Sequence, residues 1–469
     1  MFSTLQNSIG GRRIYGGLAA ALLVLLAGCS SLPTIVPDMA LHSGRPVQLD
    51  GARGPLTAQQ SKAILDKLKK GGDETNIFDR HLALEAAIVG TPLMVGNKVV
   101  LLQDGEATFQ AMFNAIRNAK RHINLETYTI EDDAIGNRFA NELIQKQKQG
   151  VQVNLIYDSV GSIGASKDFF KRFTDAGAKV VEFNPINPLA TKAGWNVNQR
   201  DHRKLLIVDG QIAFTGGINI SSVYSGGSFS QRASSRPEEK APWRDTHVQV
   251  EGPVVAEFQR MFLGTWEKQK GKALAPGSYL VPLGNKGKEV VRAIGSSPDE
   301  SYTLMYATLI SAINSAETSV YLTNAYFVPD PQLLGALKAA AQRGVDVKIV
   351  LPSYSDFWLV LYAGRSRYEE LLRAGAKIYE RRDRLLHAKT VIIDGVWSTI
   401  GSTNLDWRSF LHNDEVNAVI LGQEFAAQML AMFEKDVASS NAITLKQWHE
   451  RSIPMRLKEL MAQVWQRGL

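Results

Sequence analysis

One short pattern occurs twice in the chain, and this duplication limits the folds that the chain can adopt. The two copies comprise His202, Lys204 and Asp209 in DHRKLLIVDG, and His387, Lys389 and Asp394 in LLHAKTVIIDG. Each copy continues to a pair of small residues and an asparagine, Gly216-Gly217 with Asn219 and Gly401-Ser402 with Asn404. A single short motif often matches by chance, but two copies with matched downstream residues rarely do. We therefore interpret them as the two halves of one functional unit.

The residue types in the motif suit a displacement at a phosphodiester. A neutral imidazole can attack phosphorus, and a protonated imidazole can give its proton to the leaving oxygen. Histidine fits both roles because its pKa lies near neutrality. The lysines supply positive charge and the asparagines supply neutral donors around the phosphate oxygens. We therefore predict one phosphate site that contains both histidines, and a reaction that needs no metal or other cofactor.

The two halves also repeat outside the motif. AIRNAKRHINLETY (115–128) corresponds to AINSAETSVYLTNAY (312–326), and KQGVQVNLIYD, ending at Asp158, corresponds to QRGVDVKIVLP, ending at Pro352. Each half then alternates helices with apolar strands before it reaches the motif, and the runs LLIV and TVII predict buried strands. Such alternation is typical of layered α/β domains. The pattern predicts two α/β domains whose motifs meet across a pseudo-twofold axis.

Two carboxylates occupy equivalent places after the motifs. Aligning the segments on Gly252 and Gly422 places Asp245 of WRDTHVQVEG opposite Glu415 of NDEVNAVILG. A carboxylate beside a catalytic imidazole fixes its tautomer and stabilises its charged form. We predict this orienting role for Asp245 and Glu415, the alternative being an exposed acid at a strand start. The sequence does not tell which acid serves which histidine.

These segments resemble the phospholipase D superfamily, and within it the bacterial cardiolipin synthases. The resemblance extends from about Leu101 to Phe433 and includes RDHRKLLIVDG, AFTGGINI, WRDTHVQVEGP, TNAYFVPD, LLHAKTVIIDG and GSTNLDWRSF. It implies two phospholipase D-like α/β/α sandwich domains, one shared active site, no metal and a phosphohistidine intermediate. By the same resemblance, His202 corresponds to the nucleophile and His387 to the general acid and base.

The function that the resemblance implies is a phosphatidyl transfer that makes cardiolipin from two phosphatidylglycerols. Two alternatives remain open within the same chemistry. One is a phospholipase D that hydrolyses phospholipid to phosphatidic acid, and the other is a nuclease or other phosphodiesterase. A net charge of +7, or +5 without Arg12 and Arg13, suits anionic lipid surfaces but is modest for nucleic acid. We expect a phospholipid substrate and neither a nucleic acid nor a protein partner.

The N-terminus predicts export and lipid anchoring. Arg12 and Arg13 precede the apolar run LAAALLVLLAG, which is short for a transmembrane helix. The run ends in Leu26-Ala27-Gly28-Cys29, which looks like a bacterial lipobox, and Cys29 is the one cysteine of the chain. We expect cleavage before Cys29, acylation of its thiol and a periplasmic position at the cell envelope. Ser30 is compatible with the outer membrane; an uncleaved anchor is the alternative.

The remaining segments complete the predicted organisation. We predict a signal peptide at 1–28, a tether and N-terminal segment at 29–97, phospholipase D-like domains at 98–275 and 290–440, and a C-terminal tail at 441–469. The first half carries fifteen extra residues before Asp245, an insertion interpreted either as a mobile loop beside the site or as a passive surface loop. The tail is a basic amphipathic helix that suits either a lipid interface or packing on the second domain, with packing slightly favoured.

Overall fold

The computed structural model describes residues 47–69, 77–82, 85, 90–187, 196, 198–225, 241–274, 279–299 and 304–465. The predicted signal peptide, Cys29 and the start of the tether (up to residue 46) lie outside these residues, as does the middle of the insertion. Within the described ranges, no helix is long and apolar enough to cross a membrane.

An N-terminal segment and the first half contain ten strands and five α-helices among the described residues. In chain order they are β1 Leu49–Gly51, β2 Gly54–Pro55, α1 Ala58–Lys69, β3 Leu93–Gln103, α2 Asp104–Asn118, β4 His122–Thr127, α3 Ala134–Lys148, β5 Gln152–Asp158, α4 Lys167–Asp175, β6 Lys179–Phe183, β7 Arg200–Asp201, β8 Lys204–Val208, β9 Ile212–Gly216, β10 Thr246–Glu251 and α5 Val255–Lys268. A π-helical turn, Ile77–His81, follows α1, and a 3-10 turn, Ser222–Tyr224, follows β9.

The second half and the tail continue the alternation. Their elements are β11 Glu289–Ser296, α6 Leu304–Ser315, β12 Ser319–Asn324, α7 Pro331–Gln342, β13 Asp346–Pro352, α8 Trp358–Arg365, α9 Tyr368–Ala374, β14 Lys377–Arg381, β15 Lys389–Ile393, β16 Trp397–Gly401, α10 Trp407–Leu411, β17 Asn413–Leu421, α11 Gln423–Ala438, β18 Ser440–Ile443, α12 Leu445–His449 and α13 Ile453–Trp465.

Local sequence signals explain where several of these helices begin. The Asp133 carboxylate accepts the amide of Gly136 at 2.9 Å and caps α3. Ser166 caps α4 in the same way through the amide of Phe169. Asp330 caps α7, and Pro331 follows it in the first turn, where a missing N–H costs nothing. These caps satisfy amides that a helix start leaves without intrahelical partners.

Both halves have the same strand order. In the first half the order is β6-β5-β4-β8-β9-β10-β3, with β4, β5 and β6 parallel and the other neighbours antiparallel. In the second half it is β14-β13-β12-β15-β16-β17-β11, with the same directions. Strand β3 pairs with both β10 and β11 and thus joins the two sheets. The predicted duplicated α/β fold is confirmed.

Side chains on the two faces of each sheet enter different cores. From β8, Leu206 and Val208 pack in the core of the first half, whereas Leu205 and Ile207 point into a central core. That central core also contains Ile392 of β15 and residues of α5 and α11. Because both faces of each sheet are covered, the two motif strands are buried throughout and have apolar residues at consecutive positions. The central core holds the two halves together and so positions their motifs relative to each other.

The last residue of each motif closes a turn at the far end of its strand. The carboxylate of Asp209 accepts the amides of Lys120, Arg121 and His122 at 2.7–3.0 Å. Asp394 accepts the equivalent amides of residues 317–319 at 2.8–3.2 Å. Both aspartates have positive φ, 56° and 51°, which aspartate tolerates better than most residues. Each therefore ties the β-hairpin turn of its motif to the start of the neighbouring antiparallel strand, β4 or β12.

We expect Asp209→Asn and Asp394→Asn to lower the free energy of unfolding by about 1–3 kcal/mol each, because an amide nitrogen would face amide donors. Denaturant unfolding measures this change. Asp175→Asn, which alters only an exposed ion pair with Lys171, is the matched control and should change stability by less than about 0.5 kcal/mol. Loss of turnover without loss of stability in the Asp209 variant would contradict a purely structural role.

Candidate functional site

Both motifs open into one cavity between the two halves. The cavity has a volume of about 660 Å³, and its walls include His202 and Asn219 from the first half and His387 and Asn404 from the second. The histidines lie two residues before β8 and β15, so the paired sheets present them at the same edge. The structure thus brings the two predicted histidines and the two predicted asparagines together in one site.

Each histidine is paired with the acid of the other half. His202 Nδ1 lies 3.0 Å from both carboxylate oxygens of Glu415. His387 Nδ1 lies 2.7 Å from Oδ2 of Asp245. In each pair a protonated Nδ1 donates to the carboxylate, which leaves Nε2 as the ring nitrogen available for chemistry. The pairing between acids and histidines, left open by the sequence, is therefore crossed.

Backbone hydrogen bonds between the halves set up this crossed arrangement. The amide of His202 donates to the carbonyl of Asp414 at 2.9 Å, and the amide of His387 donates to the carbonyl of Arg244 at 2.7 Å. In both places the accepting residue directly precedes the acid. Strand β7 pairs with β17 in parallel at the first contact, and an isolated bridge joins Arg244 to Leu386 at the second. The two contacts are equivalent, as a pseudo-twofold relation requires.

The lysines of the two motifs are buried beside their histidines. Lys204 Nζ donates to the carbonyl of His202 at 2.5 Å, and Lys389 Nζ lies 3.0 Å from His387 Nδ1. Burial lowers the pKa of Lys204 to about 7 and that of Lys389 to about 8, although nearby carboxylates oppose the shift. An anionic phosphate entering the cavity would favour the charged form of both lysines.

The two histidine–acid pairs are not chemically identical. Burial, and then the Lys204 and Lys389 cations, hold the pKa of His202 well below its ordinary value. Burial also raises the pKa of Glu415 to about 7. For the other pair, burial opposes ionisation of Asp245, but His387 and Lys389 outweigh it and lower the pKa of that carboxyl. Burial and the Lys389 cation also lower the pKa of His387, but Asp245 opposes that shift. These directions favour a neutral His202 and an ionised Asp245 beside His387.

The two histidine–acid pairs also differ in the small residue beside the acid, which is Ser402 in one pair and Gly217 in the other. Ser402 Oγ donates to Oε2 of Glu415 at 2.5 Å. At the equivalent position stands Gly217, where a Cβ would lie only 2.2 Å from Oδ1 of Asp245. The shorter aspartate thus reaches His387 because glycine leaves room, while the longer glutamate is held by a hydroxyl.

Aromatic side chains that the sequence reasoning did not assign also form walls of the site. Tyr128 lies edge-on to His202 with ring centroids 5.1 Å apart, and Tyr326 lies edge-on to His387 at 6.1 Å. Both tyrosines line the cavity. Tyr128 directly follows β4 and Tyr326 lies two residues after β12, so the two tyrosines are one position apart in the aligned halves. A tyrosine close behind the same strand in both halves was the sequence signal that could have identified them.

The ends of the insertion also reach the site. Tyr224 places its hydroxyl 3.1 Å from His387 Nδ1 and accepts a hydrogen bond from Asn219 Nδ2 at 3.2 Å. The Trp243 ring lies 5.4 Å from the His387 ring. Both residues line the cavity, while residues 226–240 between them lie outside the described part. The described ends of this segment are therefore not passive surface. Their contacts are with His387 rather than with His202.

Other predicted residues lie away from the cavity. Asp209 and Asp394 occupy the turns at the far ends of β8 and β15, roughly 20 Å along each strand from the histidines. The structure does not bring their carboxylates to the site. Two arginines that precede the second motif in the sequence form ion pairs instead: Arg381 pairs with Asp436 and Asp383, and Arg384 pairs with Asp104. These two arginines thus have intramolecular partners.

Comparison with known proteins identifies the family. The sequence matches the profile described as "Cardiolipin synthase, PLD-like domain" over residues 112–225 and 309–437. It is 35% identical over 386 residues to a cardiolipin synthase from a Geobacillus species, across 82% of this chain and 74% of that one. It is equally 35% identical over 385 residues to cardiolipin synthase A of Pseudomonas fluorescens, across 80% and 76% of the two chains. The chain belongs to the cardiolipin synthase family of phospholipase D-like proteins.

Solved structures support the same fold. The phosphatidylserine synthase of Haemophilus influenzae superposes with a TM-score of 0.57 over 81% of this chain and 98% of that chain, at 12% identity. The polyphosphate kinase of Porphyromonas gingivalis superposes with a TM-score of 0.50 over 83% of this chain and 55% of that chain, at 11% identity. At these identities the likeness shows a common fold.

We expect Gly217→Ala to reduce kcat/KM by about 100-fold or more, because the new methyl group would push Asp245 away from His387. The matched change in the other half, Ser402→Ala, removes one hydrogen bond and should cost no more than about tenfold. Steady-state kinetics on both variants, with circular dichroism to verify folding, measure the difference. Equal losses in the two variants would contradict the proposed asymmetry between the pairs.

Proposed function

We propose that this protein is a phosphatidyltransferase that makes cardiolipin from two molecules of phosphatidylglycerol. The observation that carries the proposal is the single cavity in which two histidines from different halves each meet the acid of the other half. Two such imidazoles can divide nucleophilic and proton-transfer roles at one phosphorus atom. Membership of the cardiolipin synthase family supports the choice of lipid substrate and acceptor.

In the first half of the reaction, Nε2 of His202 attacks the phosphorus of one phosphatidylglycerol. The bond from phosphorus to the glycerol oxygen breaks, and His387 gives its proton to that oxygen, so glycerol leaves. A covalent bond between phosphorus and His202 remains. Lys204 and Lys389, with Asn219 and Asn404, would stabilise the charge on the non-bridging oxygens. The low pKa of His202 supports its role as the nucleophile.

In the second step of the reaction, the terminal hydroxyl of another phosphatidylglycerol attacks the same phosphorus. Now neutral, His387 accepts the hydroxyl proton while the bond from phosphorus to His202 breaks. Cardiolipin leaves, and both histidines return to their starting protonation states. Asp245 would favour the charged form of His387 in both steps of the reaction. Glu415 would keep the ring of His202 in one tautomer. Water in place of the second lipid would give phosphatidic acid instead.

We expect His202→Ala and His387→Ala each to reduce cardiolipin formation by about four orders of magnitude or more while the protein stays folded. The assay uses purified protein with phosphatidylglycerol vesicles, and mass spectrometry of the lipids and free glycerol. The wild type should release cardiolipin and glycerol in equal amounts. Phosphatidic acid without cardiolipin would indicate a hydrolase, and full activity in either variant would contradict the shared site.

We further propose that an acylated Cys29 tethers the enzyme to the envelope membrane with the catalytic domains in the periplasm. The lipobox-like LAGC and the preceding apolar run support this location. Cys29→Ser should abolish the acyl mass on the mature N-terminus and leave the signal uncleaved. Mass spectrometry of the membrane fraction measures both. An acyl-free wild-type protein would overturn the proposal.

A further inference from the structure

The exposed hydrophobic side chains of this protein are unevenly distributed. Of twelve large ones that are exposed in the described residues, six lie on one side of the C-terminal helix α13. These six are Ile453, Leu457, Leu460, Met461, Val464 and Trp465. Their spacing of three and four residues forms a continuous stripe along the helix. An apolar stripe of this kind on a soluble surface indicates an interaction site.

The opposite side of α13 already holds the helix against the protein. Ala462 is fully buried in the core of the second half. Glu459 is buried and forms an ion pair with Arg451, with a closest distance of 2.9 Å. Packing on the second domain, one of the two alternatives for the tail, therefore involves this side only. The apolar stripe faces away from the core and stays exposed.

Four more exposed hydrophobic side chains lie at or next to the rim of the catalytic cavity. Val160 and Phe357 both line the cavity and are exposed. Ile163, 74% exposed, and Trp358, 48% exposed, follow them in the chain. Ten of the twelve exposed large hydrophobics thus belong either to α13 or to the rim. Such clustering would not be expected of hydrophobic residues scattered singly over a surface.

Helix α8 connects the rim to α13. Its Val360 lines the cavity, and Trp358 in its first turn contacts Tyr362 edge-on. Tyr362 in turn lies under Lys458 of α13, with Nζ 5.3 Å from the ring centroid. The helix that carries part of the rim therefore contacts α13 directly, through Tyr362 and Lys458.

The charges beside the stripe favour an anionic partner. Arg456 and Lys458 are exposed on α13, whereas Glu459, the acid of that helix, is buried in its ion pair. Lysine and arginine next to an inserted apolar face can lie along it and keep their charges among lipid headgroups. Basic residues near an anionic membrane surface also strengthen its binding.

We propose that the exposed face of α13 and the hydrophobic rim, Val160, Ile163, Phe357 and Trp358, form one docking face that inserts into the surface of an anionic phospholipid bilayer. Docking would place the cavity entrance at the level of the headgroups. This inference rests on the proposed function, because it assigns the bilayer as the source of the lipid that enters the cavity. It is separate from the anchor at Cys29, which would tether the protein without orienting it.

Tryptophan fluorescence tests the insertion directly in the full chain. Apart from Trp358 and Trp465, the tryptophans of the described residues are buried. We expect phosphatidylglycerol vesicles with brominated acyl chains to quench the fluorescence, and the double variant Trp358→Phe/Trp465→Phe to lose at least half of that quenching. Undiminished quenching in the double variant, or none in the wild type, would overturn the docking face.

A second experiment separates docking from catalysis. The triple variant Leu457→Ser/Leu460→Ser/Met461→Ser should turn over vesicle phosphatidylglycerol at least about tenfold more slowly. Its turnover of short-chain, monomeric phosphatidylglycerol should match the wild type. Leu280→Ser, which changes an exposed leucine outside the docking face, is the matched control and should leave both activities unchanged.

The outcomes distinguish the two proposals. A wild type that turns over neither substrate contradicts the proposed function, whereas a triple variant with normal vesicle turnover contradicts the docking face alone. If the same variant converts a dimer to a monomer in analytical ultracentrifugation and the wild type shows no quenching, the face instead joins two copies of the chain. That result would also overturn the docking face.

Discussion

The active geometry depends on two backbone hydrogen bonds that cross between the halves. Through them, each histidine is held beside the residue that precedes the acid of the other half, at the carbonyls of Asp414 and Arg244. Neither half contains a complete histidine–acid pair, so the site exists only when the halves are docked. The central core that α5 and α11 help to form supplies the apolar burial that keeps them docked.

Duplication alone would give two equivalent histidines, yet the reaction needs one neutral and one protonated imidazole. Small differences around a symmetric frame provide that inequality. A glycine at position 217 lets the shorter Asp245 approach His387, while Ser402 holds the longer Glu415 beside His202. Tyr224 and Trp243 lie at the two ends of an insertion found only in the first half. Both contact His387 and thus make its surroundings differ from those of His202. The asymmetry thus arises from a few local substitutions and one loop.

Much of this arrangement could be predicted from the sequence because it repeats. The matched segments before each motif predicted the alternating helices and strands, and the alignment of Asp245 with Glu415 predicted two equivalent acids. The crossed pairing could not be predicted, since it depends on how the two halves dock against each other. Asp209 and Asp394 share the motif with the histidines but lie at the other ends of their strands, which sequence spacing alone does not reveal. Tyr224 and Trp243 could not be assigned either, because their loop has no counterpart in the second half.

In the mechanism that we propose, one chain has one active site with one nucleophile, built from both halves. Intact-protein mass spectrometry after rapid alkaline quenching of the wild type during turnover tests it most directly. We expect a maximum of one phosphatidyl group per chain, attached to His202 in fragment spectra. Two phosphatidyl groups on one chain, or an adduct on His387, would contradict it.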